Sequence, residues 1–196
     1  LRVPETSDGV NLFGRGQNAE KYTLLGWRTD PKSFSWKNHI DANLFPDIAE
    51  HVVDGKSILP GSAFIEIAVT VARQLFGVPD IELMNLEIIR PLELQTSRLS
   101  ELSTIVSPET GQIEIRSREY LSEDDWSVHA VARIRKPVKS MTARVAFVSD
   151  TDATAAEIDT DDAYETARQF GLDYGPSFSL LNGVRISSSQ QTLSVQ

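Results

Sequence analysis

Three histidines and no cysteine occur among the 196 residues. Proton transfer near neutral pH therefore has to be sought around His39, His51 and His129. His51 differs from the others in the residues after it: Gly55 four positions on, Pro60 five further, then a nearly continuous apolar run as far as Gly77. Imidazole, with an ordinary pKa near ~6.5, is the side chain best matched to take a proton at neutral pH. Carried in a polar loop just ahead of a buried element, it would act as a base against a site that excludes water. His39 and His129 lie in strand-like runs and read as structural. No two histidines have the i,i+4 or i,i+2 spacing, with a carboxylate nearby, that a metal site requires. Ser57 and Ser62 lack a base and an orienting partner, which argues against a hydrolase nucleophile.

The apolar run after Pro60 reads as one long helix, because its polar residues Ser62, Glu66, Thr70, Arg73 and Gln74 recur every three or four positions and form a single narrow stripe. A helix apolar over most of its circumference must be wrapped by a sheet or buried at an interface. Pro60 and Gly61 break the preceding chain, Ser62 is the expected cap, and Gly77 with Pro79 stops the helix. Strand-like runs flank it at Ser33 to Ile40, Ile81 to Ile89, Glu101 to Ser107, Gln112 to Tyr120 and Trp126 to Arg135, each bounded by turn residues. About five antiparallel strands curved around one long helix make an α+β fold of the hot-dog kind. The expected organisation is an N-terminal arm over 1–32, a first hot dog over 33–137 that holds His51 and the helix, and a linker over 138–160. The start of a second hot dog follows over 161–196, with a short helix near Asp161 to Gln169 capped by Asp159 or Thr160. The acidic run from Asp150 to Asp162 is expected to be solvated linker.

A formal charge of -9, from 28 acidic against 19 basic residues, argues against nucleic-acid binding, which needs clustered Lys and Arg. No stretch has the length and apolarity of a membrane span, and the N-terminal residues lack the apolar core of a secretion signal. The absence of cysteine agrees with a reducing compartment, so the cytoplasm is expected.

His51, Gly55 and Pro60 fit the pattern H-x-x-x-G-x-x-x-x-P, and "GLDYGPSF" from Gly171 to Phe178 fits G-x-x-Y-G-P-x-F. In this order, about 120 residues apart, the two motifs resemble those of dehydratase domains in modular polyketide synthases and the related animal-type fatty acid synthase. "LLGWR" at Leu24 to Arg28 and "WSVHA" at Trp126 to Ala130 are similar to the same family. The resemblance implies a double hot dog that removes water from a 3-hydroxyacyl chain, held as a thioester on the phosphopantetheine arm of an acyl carrier protein, to give a 2-enoyl thioester.

It further implies that His51 is the catalytic base, that the backbone N–H of Gly55 helps bind the thioester carbonyl, and that Pro60 holds the loop. Gly61 is expected among the substrate-binding residues with Gly55 and Pro60, and Tyr174, Gly175 and Pro176 line the pocket. No cofactor is implied beyond the carrier's arm. The partners are the carrier protein, neighbouring synthase domains and a possible second copy in a homodimer. The family's general acid is an aspartate in a D-x-x-x-Q or D-x-x-x-H pattern several tens of residues beyond the tyrosine motif. Neither Asp173 nor the aspartates between Asp150 and Asp162 stand there, so the chain reads as a dehydratase domain cut short and inactive alone. An isomerising, cyclising, product-template or degenerate relative would share the same histidine segment. A single hot-dog thioesterase fits less well, because it would lack the tyrosine motif.

Overall fold

The computed structural model describes residues 24–30, 32–137, 156–182, 184–187 and 192–195. Its main layer is a six-stranded antiparallel sheet in the order β1-β2-β6-β7-β8-β5. These strands are β1 (Trp27–Arg28), β2 (Ser35–Ile40), β5 (Glu82–Ile88), β6 (Ser100–Val106), β7 (Gln112–Glu119) and β8 (Ser127–Arg135). All five expected runs are present, and β1 extends the edge by pairing with β2. Alternation sets the register: Ile113, Ile115 and Ser117 of β7 are buried while the residues between them are not, as a sheet with one covered face requires.

The cover is helix α2 (Gly61–Phe76), which packs over β8 and β5. Its residues Ala63, Phe64, Ile67, Ala68, Val71 and Ala72 are almost fully enclosed. They meet Trp36, Ile40, Leu102, Ile113, Ile115, Ala130 and Ile134 from the sheet, with Leu25, Leu59, Leu92 and Leu94 closing the rim. Burying one such large side chain contributes about 1.5–3 kcal/mol, so this one interface accounts for much of the stability. Trp36 is buried and still donates its Nε1–H to Gln74 Oε1 at 2.9 Å, which ties the end of the helix to β2. The exposed stripe follows the polar residues, with Ile65 the apolar exception.

The helix ends as the sequence predicts. Gly77 is left-handed, at φ 64°, and donates its N–H to the Arg73 carbonyl at 2.9 Å. Its start differs, since the N-cap is Pro60 and no side chain caps it. Ser62 lies one residue inside the first turn, because Pro60 already has the extended φ/ψ of a cap and its carbonyl accepts from Ala63 N at 3.0 Å.

A second, three-stranded sheet, β10-β3-β4, has no counterpart in the sequence expectations. After the short helix α1 (Pro46–Ala49) come β3 (His51–Val53) and β4 (Lys56–Ser57). They are joined by Asp54 and Gly55, whose φ angles of 49° and 74° are both positive, as a two-residue hairpin turn demands. His51 is thus the first residue of a strand and not part of a loop. The third sheet, β12-β11-β9, contains β9 (Ala156–Ile158), β11 (Val184–Ser187) and β12 (Thr192–Val195). Between β9 and β10 (Leu172–Tyr174) lies α3 (Thr160–Gln169), capped by Asp159, whose carboxylate accepts from Asp161 N at 2.9 Å. Residues 1–23 of the expected arm and 138–155 of the expected linker lie outside the described residues. The last part of that linker span contains β9, which pairs with β11.

Candidate active site

β10 pairs antiparallel with β3, setting Tyr174 opposite His51, Asp173 opposite Val52 and Leu172 opposite Val53. The two motifs, far apart in sequence, are therefore cross-strand neighbours. Because side chains alternate, Tyr174 shares the face of His51 and Asp173 points the other way, where it lies 3.9 Å from Arg168. The imidazole is stacked on the Tyr174 ring, with centroids 5.4 Å apart and planes at 26°, and it tilts against Phe178 at 5.3 Å. Phe178 is placed there by the turn that follows β10, in which Phe178 N and Ser179 N both donate to the Gly175 carbonyl.

His51 Nδ1 lies 2.9 Å from the Ile58 carbonyl oxygen. A carbonyl only accepts, so Nδ1 carries the proton and Nε2 presents its lone pair. The same stretch of chain is fixed from two further sides. Ile58 N donates to the His51 carbonyl at 3.0 Å, and Leu59 N donates to the Leu92 carbonyl at 2.8 Å. Ile58 stands two residues before the N-cap of α2, so the ring sits at the positive end of that helix. The first amides of a helix have no partner within it. Ala63 N is taken by Pro60, which leaves the Gly61 and Ser62 N–H groups without an intrahelical acceptor. The arrangement brings together an oriented imidazole, backbone N–H groups at the start of a helix and an aromatic wall, a set of groups able to move a proton and to meet a developing oxyanion.

The remaining expected residues fall on both sides of this cluster. Pro60 is buried as the helix cap and Gly61 opens the helix. Gly175 is locked to Glu50, and Pro176 is exposed in the turn beyond β10. Gly55 is not brought to the imidazole. It occupies the tip of the β3–β4 hairpin, exposed, with nothing within 4 Å of where a Cβ would stand, and roughly 10 Å of strand separates it from His51. Its place in the motif follows from its positive φ.

The other two histidines are buried within the main sheet. His39 is buried edge-on between Trp27 and Tyr120, with centroids 5.3 and 4.5 Å away. His129 is the extra residue in a bulge between β7 and β8. Its Nδ1 donates to the Arg90 carbonyl at 3.1 Å and its Nε2 accepts from Ser117 Oγ at 2.8 Å. Burial pushes its pKa below the usual imidazole value. Among the described residues, no group of three or more His, Asp or Glu side chains is placed to hold a metal ion. No helix among them is long and apolar enough to cross a membrane.

Residues 23–119 match the family model of the polyketide synthase dehydratase domain. The chain belongs to this family. It is 26% identical over 179 residues to a phenolphthiocerol/phthiocerol polyketide synthase of Mycobacterium tuberculosis, an alignment covering 87% of this chain and 8% of that protein. It is 32% identical over 146 residues to erythronolide synthase EryA2 of Saccharopolyspora erythraea, covering 69% of this chain and 4% of that protein. The solved dehydratase domain of PpsC from M. tuberculosis superposes with a TM-score of 0.65 at 27% identity, over 85% of this chain and 60% of that one. The fold is accordingly that of the double hot dog dehydratase domains, of which the chain spans about three-fifths, with α2 as the first central helix. In its curated relatives the dehydratase domain is one small part of a multidomain synthase.

Proposed function

We propose that this dehydratase domain converts a 3-hydroxyacyl thioester on the phosphopantetheine arm of an acyl carrier protein into the 2-enoyl thioester. The observation carrying this reading is the His51 imidazole, held through Nδ1–H by the carbonyl of Ile58, two residues before the N-cap of α2. His51 Nε2 takes a proton from the carbon alpha to the thioester. The electrons of that C–H bond form the new double bond through an enolate whose oxygen faces Gly61 N–H and Ser62 N–H. The C–O bond at the beta carbon breaks, and the departing hydroxide takes a proton from the general acid and leaves as water.

That acid belongs to the family's D-x-x-x-Q or D-x-x-x-H pattern, which has no match at the expected distance beyond Tyr174 in the 196 residues. The described chain supplies the base, the oxyanion donors and the Tyr174–Phe178 wall. Gly55 serves the reaction by shaping the hairpin, and Pro60 by fixing where α2 begins. No cofactor is needed, and the partners are the carrier protein and neighbouring synthase domains in the cytoplasm. The test uses a version extended through the second long helix and a 3-hydroxyacyl pantetheine thioester. Wild type is expected to form the 2-enoyl thioester and His51→Ala to lose about 10²- to 10⁴-fold in rate. Equal rates in the two proteins would remove His51 from the mechanism.

A further inference from the structure

Glu50, the residue before the base, makes contacts that its place in the chain does not explain. It ends α1, and its backbone carbonyl accepts from Gly175 N at 3.0 Å. Its side chain turns the same way, and Oε2 accepts from Ser177 N at 2.5 Å. A Cβ built on Gly175 would meet Glu50 Cβ, Cγ and Cδ at 2.8, 2.8 and 2.9 Å. The absence of a side chain at Gly175 is therefore what admits the carboxylate to the turn. A carboxylate accepting from a backbone N–H makes a charge-assisted hydrogen bond, among the stronger ones available to a half-exposed group.

The turn so held carries the two rings that flank the base. Tyr174 precedes Gly175, Phe178 follows Ser177, and Ser179 Oγ donates to the Tyr174 and Gly175 carbonyls at 3.0 and 3.1 Å. On the other side Glu50 is continuous with His51, and Ala49 is tied to β4 through Ser57 Oγ at 2.7 Å. One residue thus fixes both partners of the His51–Tyr174–Phe178 stack.

We propose that Glu50 is a positioning residue: its carboxylate clamps the Gly175–Phe178 turn so that Tyr174 and Phe178 hold the His51 imidazole in its working orientation. The inference rests on the reading of His51 as the base. A displacement of the order of 1 Å at a reacting group can cost about 10²-fold in rate. Glu50→Ala, in the extended protein, is expected to lower kcat by about 10- to 10²-fold with KM changed by less than about 3-fold, because a misdirected base acts on the chemical step while the Gly61 and Ser62 amides proposed to meet the thioester belong to α2 and stay in place. Glu50→Gln keeps an oxygen acceptor for Ser177 N–H and is expected to restore most of kcat.

Two measurements on the 196-residue chain do not depend on turnover. The nitrogen-15 resonances of the His51 ring are expected to move in Glu50→Ala and return in Glu50→Gln. Gly175→Ala is expected to lower Tm in the wild type and by less in a Glu50→Gly background, where the space is vacated. Unchanged His51 resonances and kcat in Glu50→Ala, or equal effects of Gly175→Ala in both backgrounds, would overturn the inference. If the wild type forms no enoyl product while the resonances and the coupling behave as stated, the dehydration reading fails and the clamp stands.

Discussion

Replacing His51 separates its chemical role from its packing, and the structure gives a size for each. The ring is half-buried, donates one hydrogen bond to Ile58 and touches the rings of Tyr174 and Phe178. The hydrogen bond contributes about 1 kcal/mol, and the two ring contacts together about 1 kcal/mol more. His51→Ala should therefore cost about 2 kcal/mol, which for a chain of this length lowers Tm by about 4–8 °C. His51→Phe keeps the ring contacts, loses the hydrogen bond and should fall about halfway between. A histidine in an exposed loop would show neither change. The assay is thermal unfolding of the two variants of this chain followed by circular dichroism, with turnover measured in the extended protein well below the lower Tm. Both variants should lose turnover alike, since neither has a base at this position. A Tm for His51→Ala within about 1 °C of wild type would refute the packed imidazole.

Two glycines with the same left-handed backbone should respond unequally to alanine. Gly55→Ala meets open space and should cost only the conformational strain of about 1–2 kcal/mol, whereas Gly111→Ala puts a Cβ 2.1 Å from the Ile134 carbonyl oxygen, backbone that cannot turn away, and should cost clearly more; urea unfolding of both ranks them, and equal losses would contradict the contact. Burial holds the His129 pKa below its unfolded value, so the unfolded chain binds the extra proton first and stability falls as pH drops from about 6.5 through the folded pKa. In His129→Asn that part of the pH dependence should disappear from the unfolding midpoints between pH 7 and 5, and an unaltered slope would exclude His129 as its source.

The parts of the fold legible in the sequence are those whose signals are local. The helix shows itself through a polar stripe and a terminal glycine, the five longer strands through their alternation, and α3 through Asp159. The β10-β3-β4 sheet escapes the same reading because strands of two or three residues offer too few positions for alternation to register. One local signal does mark it, since Asp54-Gly55 between Val53 and Lys56 is a two-residue hairpin turn. The start of α2 differs from its expected place because serine is a favoured cap by side chain, whereas here the extended backbone of Pro60 does the capping. At the site, spacing identifies His51 and Tyr174 separately. Their stacking, the fixed tautomer of His51 and the role of Glu50 depend on pairing across more than a hundred residues. No local pattern encodes that pairing. For Gly55 the motif is legible and its reason is not: the strand register puts it at the hairpin tip, where its dihedral angle explains it.

The central claim is that His51 Nε2 removes the alpha proton and that the proton needed by the leaving hydroxyl comes from outside these residues. Both halves are read in one measurement, with the 196-residue chain and the extended protein each incubated in deuterium oxide with a 3-hydroxyacyl pantetheine thioester and followed by mass spectrometry. The account predicts deuterium at the alpha carbon with the wild-type chain and none above background with His51→Ala. Enoyl product should appear only with the extended protein. Enoyl product formed at comparable rates by the two lengths, or alpha exchange undiminished in His51→Ala, would contradict it.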